Sequence, residues 1–139
     1  MIKPIVLIGL TLLSASAWAA DSPTSLMAHY AQTAGVPVSG LSATRGAALY
    51  RTEHAGRDGQ PVSCASCHTA SPKQAGRTRV GKRIEPLAPS ANPARFTRPA
   101  SVAKWFQRNC NDVLKRACTA QEKGDVLAWL MTLPAKETK

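Results

Sequence analysis

The five residues Cys64-Ala65-Ser66-Cys67-His68 constrain this 139-residue chain more than any other feature. Two thiols three positions apart fall on one side of a helical turn. So placed, they can add to the two vinyl groups of one haem, and the histidine that follows can give its imidazole to the iron. A chain that holds a haem this way must fold around a flat, apolar disc. Other uses of a C-x-x-C pair fit less well. A redox dithiol does not need the histidine and belongs in a βαβ setting, of which the sequence has no sign. Half of a zinc site would need a second ligand pair, and Cys110 and Cys118 are not spaced as one. Structural disulfides are the remaining alternative. The motif predicts one covalently bound haem c on Cys64 and Cys67, with His68 as the proximal iron ligand.

Composition agrees with a cofactor-filled interior. Hydrophobic residues make up 44% of the chain, yet only seven side chains are aromatic: three Trp, two Tyr and two Phe. The first 19 residues read as a secretory signal, with Lys3 at the start, an apolar run from Ile5 to Leu13, and the small residues of Ala17-Trp18-Ala19 before a cut after Ala19. A retained anchor is the alternative, but the run is short for a span of roughly 20 residues. The expectation is an exported, periplasmic protein with a single domain over residues 20–139. The formal net charge is +10, from 18 Lys and Arg against 8 Asp and Glu. An exported chain rarely meets nucleic acid. The charge therefore points to acidic partners, anionic surfaces or an anionic cofactor.

Four helices are expected, and the fold class is all-α. Ser22 and Pro23 open the first, which ends near Gly35. The second spans about Ser42 to Glu53. The third runs about Pro99 to Asn109 with Val102, Trp105 and Phe106 on one face. The fourth starts at Thr119, with Glu122 completing a capping box, and places Val126, Leu127, Leu130 and Met131 on one face until Pro134 ends it. From Thr69 to Arg98 no helical period persists, and a loop of that length is expected to wrap something. Cys110 and Cys118 remain after haem attachment. In an oxidising compartment a disulfide is the default, with two buried free thiols as the alternative. Eight residues of continuous helix rise ~12 Å, and a disulfide needs Cα atoms within ~7 Å. The chain must turn between them.

The second axial ligand is harder to place. A Met is usual opposite the His, but after the leader only Met27 and Met131 remain. Met131 lies on the apolar stripe of the last helix, where core packing is expected, and Met27 lies far upstream. His29 and His54 read better as surface or packing residues than as ligands.

At this point the residues resemble a known family. Cys64–His68, Gly81-Lys82-x-Ile84-x-Pro86-Leu87-Ala88-Pro89-Ser90, Arg95-Phe96-Thr97, Arg108-Asn109-Cys110-Asn111, Cys118 and Glu122-Lys123 are similar to the sphaeroides haem protein family of oxygen-binding class I cytochromes c, over about residues 22 to 131. The more distant cytochrome c″ carries His at the position of Asn109. The resemblance implies the class I cytochrome c fold with an extra N-terminal helix and a haem-centred core. It also implies a Cys110–Cys118 disulfide, and Asn109 as a distal ligand to ferric iron that detaches on reduction. Gly46, Tyr50 and Trp129 are expected to form the contact between the first and last core helices. Redox partners implied are other cytochromes, c-type or membrane b-type.

Ligand chemistry points the same way. An amide oxygen is a hard, weak donor that ferric iron tolerates and ferrous iron holds poorly. Release of Asn109 would let ferrous haem bind O2, NO or CO. The other reading of Asn109 is a residue at a helix C-terminus, a common place for Asn. Seven cations, Lys73, Arg77, Arg79, Lys82, Arg83, Arg95 and Arg98, stand against Glu85 in the long loop. They could pair haem propionates, steer an acidic partner, or simply be solvated. Two further functions stay open: an ordinary six-coordinate electron carrier, and a haem reductase of oxygen or nitrogen oxides.

Overall fold

The computed structural model describes residues 22–56 and 58–135; the expected leader lies outside them. Five helices carry the fold: α1 Pro23–Ala34, α2 Ala43–Arg51, α3 Ala65–His68, α4 Pro99–Leu114 and α5 Ala120–Thr132. The architecture is all-α, with α1 as the extra N-terminal helix. Local chemistry sets the helix starts. The Ser22 hydroxyl accepts from the Ser25 N–H at 3.1 Å, Pro23 follows, and Gly35 closes α1 in a left-handed conformation at φ 70°. At α5 the Thr119 hydroxyl accepts from the Glu122 N–H at 3.1 Å, and the Glu122 carboxylate accepts from the Thr119 N–H at 2.8 Å.

Helix α5 is the hub, packing against both α2 and α1. Gly46 lies where α2 crosses it: a Cβ there would sit 2.0 Å from the Asp125 carbonyl oxygen. One turn on, the Tyr50 and Trp129 rings stack at 4.8 Å. Beside them a network bridges the same helices. Asp125, only 3% exposed, accepts from Arg45 Nε at 2.7 Å, the Ser42 N–H at 2.7 Å and Gln121 Nε2 at 2.9 Å.

Several expectations are corrected. Helix α4 does not end at Asn109 but runs to Leu114, because buried Val113 continues the stripe of buried Val102 and half-buried Phe106 and Asn109. The turn between the cysteines comes at Lys115, left-handed at φ 60°. Trp105 is off that stripe, 48% exposed, with the Arg108 guanidinium 5.7 Å above its ring. Met131 is 42% exposed rather than in the core, since it lies about 100° round the helix from Leu130. The long loop also holds a short antiparallel ladder that sequence gave no sign of, β3 Gly76–Arg77 with β4 Arg83–Ile84. A second ladder, β1 His54–Ala55 with β2 Pro61–Val62, precedes the cysteine motif.

Candidate haem site

The C-x-x-C-H motif folds as one tight turn. The His68 N–H donates to the Cys64 carbonyl at 3.1 Å, and the Ser63 N–H donates to the Ser66 hydroxyl at 3.0 Å. The turn is held from two sides. The buried Tyr50 hydroxyl donates to the Thr69 carbonyl at 2.7 Å, immediately after His68. On the other side β3 lies directly on the motif: a Cβ on Gly76 would be 1.9 Å from the Cys67 carbonyl oxygen, so only glycine fits. A lone Gly in a loop gave little warning of that approach.

The electrostatics suit a cofactor held by these residues. Cys64 and Cys67 are free thiols, and burial pushes Cys64 up to about 11, so it is a thiol at neutral pH. Burial, and then the positive charge of Arg95, lower His68, holding its imidazole neutral, the form that ligates metals. Arg95 is half-buried, and its guanidinium donates to two neutral carbonyls, Pro86 at 2.8 Å and Glu85. It therefore has charge to spare for an anion near His68. Two buried polar atoms, Ser90 Oγ and His54 Nε2, lack partners. Unpaired buried polar groups are rare, and a ligand that they serve is one of the usual reasons. Two thiols on one turn, a neutral imidazole, a guanidinium whose hydrogen bonds go to carbonyls, and buried polar atoms without partners fit a bound haem.

The remaining candidates separate clearly. Asn109 lies half-buried in the interior of α4, on the stripe shared with Phe106 and Val113. The next residue, Cys110, is disulfide-bonded to Cys118, with Cα atoms 5.6 Å apart. Met27 packs against the hydrophobic core from α1, and His29 is exposed on the same helix. Among the described residues, no cluster of three or more His, Cys, Asp or Glu could hold a metal ion on its own.

A helical fold closed by the α2–α5 crossing, with a C-x-x-C-H turn beside it, defines a cytochrome c. Comparison narrows this further. The chain is 50% identical over 109 residues to the cytochrome c-type protein SHP of Cereibacter sphaeroides, covering 78% of this chain and 82% of that one. The structure of oxidised SHP, an oxygen-binding cytochrome c, superposes with a TM-score of 0.71 at 51% identity, over 78% of this chain and 95% of that chain. The solution structure of cytochrome c″ from Methylophilus methylotrophus, a study of haem-ligand detachment, gives a TM-score of 0.68 at 34% identity, over 82% and 97% of the two chains. A family model described as a domain of unknown function (DUF1924) matches residues 37–130. The chain therefore belongs to this family, as a haem-binding cytochrome related closely to SHP and more distantly to cytochrome c″.

Proposed function

We propose that this chain is an exported, periplasmic monohaem cytochrome whose distal ligand leaves on reduction. One haem domain would span residues 20–139, after cleavage of the leader at Ala19. Cys64 and Cys67 would form the thioethers, His68 would be the proximal ligand, and Asn109 the distal ligand of the ferric state. Arg95 would pair a propionate. When bound, the haem supplies the electron-accepting iron and, once Asn109 has left, a position for O2, NO or CO.

The observation that carries this reading is the placement of possible distal ligands. Met131 is turned to solvent and Met27 packs against the hydrophobic core from α1, whereas α4 holds Asn109 half-buried beside Phe106 and Val113. A neutral amide oxygen binds ferric better than ferrous iron, so the residue itself makes coordination redox-dependent. That the oxidised SHP structure is of an oxygen-binding cytochrome, and that cytochrome c″ has been studied for ligand detachment, supports the same behaviour here.

Electrons would come from other cytochromes, c-type or membrane b-type. The β3–β4 hairpin offers an acidic partner a face: Arg77, Arg79, Lys82 and Arg83 surround the tip residue Val80, which is 89% exposed. Of these, Arg83 is paired with Glu85 at 2.7 Å, and Arg79 lies 3.8 Å from the Asp58 carboxylate.

Optical spectra of the purified protein, oxidised and reduced, with and without carbon monoxide, test the proposal. A broad high-spin ferrous spectrum that shifts with carbon monoxide is expected, and Asn109→Ala should make the ferric form high-spin as well. Sharp low-spin ferrous bands unmoved by carbon monoxide would overturn it in favour of an ordinary electron carrier.

A further inference from the structure

His54 is one of two histidines that the proposed ligand set does not use. It lies in β1 opposite Val62, two residues before Cys64, so it stands beside the haem-attachment turn. The same strand packs against α4, the helix that carries Asn109. Its Nε2 is buried without a hydrogen-bond partner. A surface histidine would turn that nitrogen to water, and a structural one would meet a carbonyl. An apolar side chain would fill the place without leaving a polar atom stranded, and natural folds rarely tolerate such an atom without a use for it. The other spare histidine, His29, is exposed on α1 and raises no such question.

We propose that His54 is a second distal-side residue: its imidazole stands beside Asn109 and hydrogen-bonds the diatomic ligand that takes the place of Asn109 after reduction. This rests on the ligand-release reading above. β1 pairs with β2, which leads into the Cys64 turn, and it also contacts α4, so the strand joins the two elements between which the ligand would bind. The division of labour follows from chemistry. Asn109 would hold the ferric iron and vacate the site on reduction. His54, on a different element, would stay when the α4 amide leaves, and would offer an N–H to a dioxygen ligand. Distal donors of this kind help decide between binding and activation.

The test compares wild type with His54→Leu and His54→Gln, using dioxygen and carbon monoxide as probes. In His54→Leu the dioxygen dissociation rate should rise about tenfold, the equivalent of one hydrogen bond of about 1.4 kcal/mol. The C–O stretching band of the carbon monoxide form should move to higher frequency. His54→Gln keeps a donor and should stay within about threefold of wild type. The thermal midpoint of the ligand-free reduced protein should be unchanged or raised in His54→Leu, because an unpaired buried nitrogen is removed. An unchanged dissociation rate and band position would overturn the assignment while leaving ligand release intact, and a lowered midpoint with unchanged kinetics would make His54 structural. If wild-type ferrous protein binds neither probe, the ligand-release reading and this assignment fall together.

Discussion

Gly46→Ala sets two physical effects of opposite sign against each other. In the interior of α2 the substitution should help, since alanine favours helix over glycine by about 1 kcal/mol. The structure argues the reverse. The new Cβ would lie 2.0 Å from the Asp125 carbonyl oxygen, 2.4 Å from its carbonyl carbon and 2.7 Å from the Val126 nitrogen. Non-bonded heavy atoms rest near 3.5 Å, so α2 would have to retreat by about 1.5 Å. Every obstructing atom is backbone of α5, and no rotamer change can relieve the contact. Retreat would also loosen the Tyr50–Trp129 stack at 4.8 Å and the Arg45–Asp125 contact at 2.7 Å, both of which cross the same interface. Overpacking costs about 1–3 kcal/mol even where side chains can adjust. A rigid obstacle belongs at or above the top of that range, for a net loss of about 2 kcal/mol after the helix gain. For a domain of this size that is a fall of about 8 °C in thermal midpoint. Circular dichroism melts of the haem-loaded protein read it directly. A rise in midpoint would show that propensity wins and that the two helices do not cross as tightly as described.

Two further perturbations test the frame around the site. Replacing both Cys110 and Cys118 by Ser opens a loop of sequence separation 8. Chain entropy puts the loss at about 2.5 kcal/mol, about 10 °C by calorimetry, and an unchanged midpoint would mean that the turn at Lys115 holds without the bridge. Asp125→Asn should be less stable than wild type at neutral pH. Burial works against the Asp125 charge, but the Arg45, Ser42 and Gln121 hydrogen bonds outweigh it, and the pKa falls below the ordinary 3.8. A depressed carboxyl stabilises the fold above its unfolded-state value and loses that contribution as pH drops through the folded one. The melting points of variant and wild type should therefore converge in acid below that ordinary value; a gap that persists there would remove the carboxylate's charge from the explanation.

What the sequence revealed, and what it hid, follows from the range of each interaction. The C-x-x-C-H turn, the Ser22 and Thr119 caps and the stripe of α5 are local patterns and are legible. The end of α4 was misjudged because Asn109 resembles a helix terminus and because the disulfide demands a turn. Val113, four residues after Asn109, was the signal that the helix goes on. Trp105 and Met131 were assigned inward on hydrophobicity, although a single residue's step of about 100° decides the matter. The Arg45–Asp125 network spans 80 residues and leaves no local trace, and neither do ladders of two residues. His54 is a subtler case: nothing in its neighbours marks it, and only its stranded nitrogen in the folded chain sets it apart from His29.

These pieces meet in one mechanical argument. A weak ligand such as an amide contributes too little to shape the polypeptide around itself, so the polypeptide must deliver it. On the proximal side α2 does so, since Tyr50 fixes the carbonyl that follows His68. On the distal side, the residue after Asn109 is tied through Cys118 to the position just before the N-cap of α5. Both arms converge on α5, which Gly46 and Asp125 lock to α2. In this arrangement the distance between His68 and Asn109 is set by helix packing and a covalent bridge. In the proposed cycle, losing an Asn109 bond on reduction would remove one contact from a frame that does not depend on it. On that reading the site would open without unfolding α4, and would close again on oxidation with the amide still in reach.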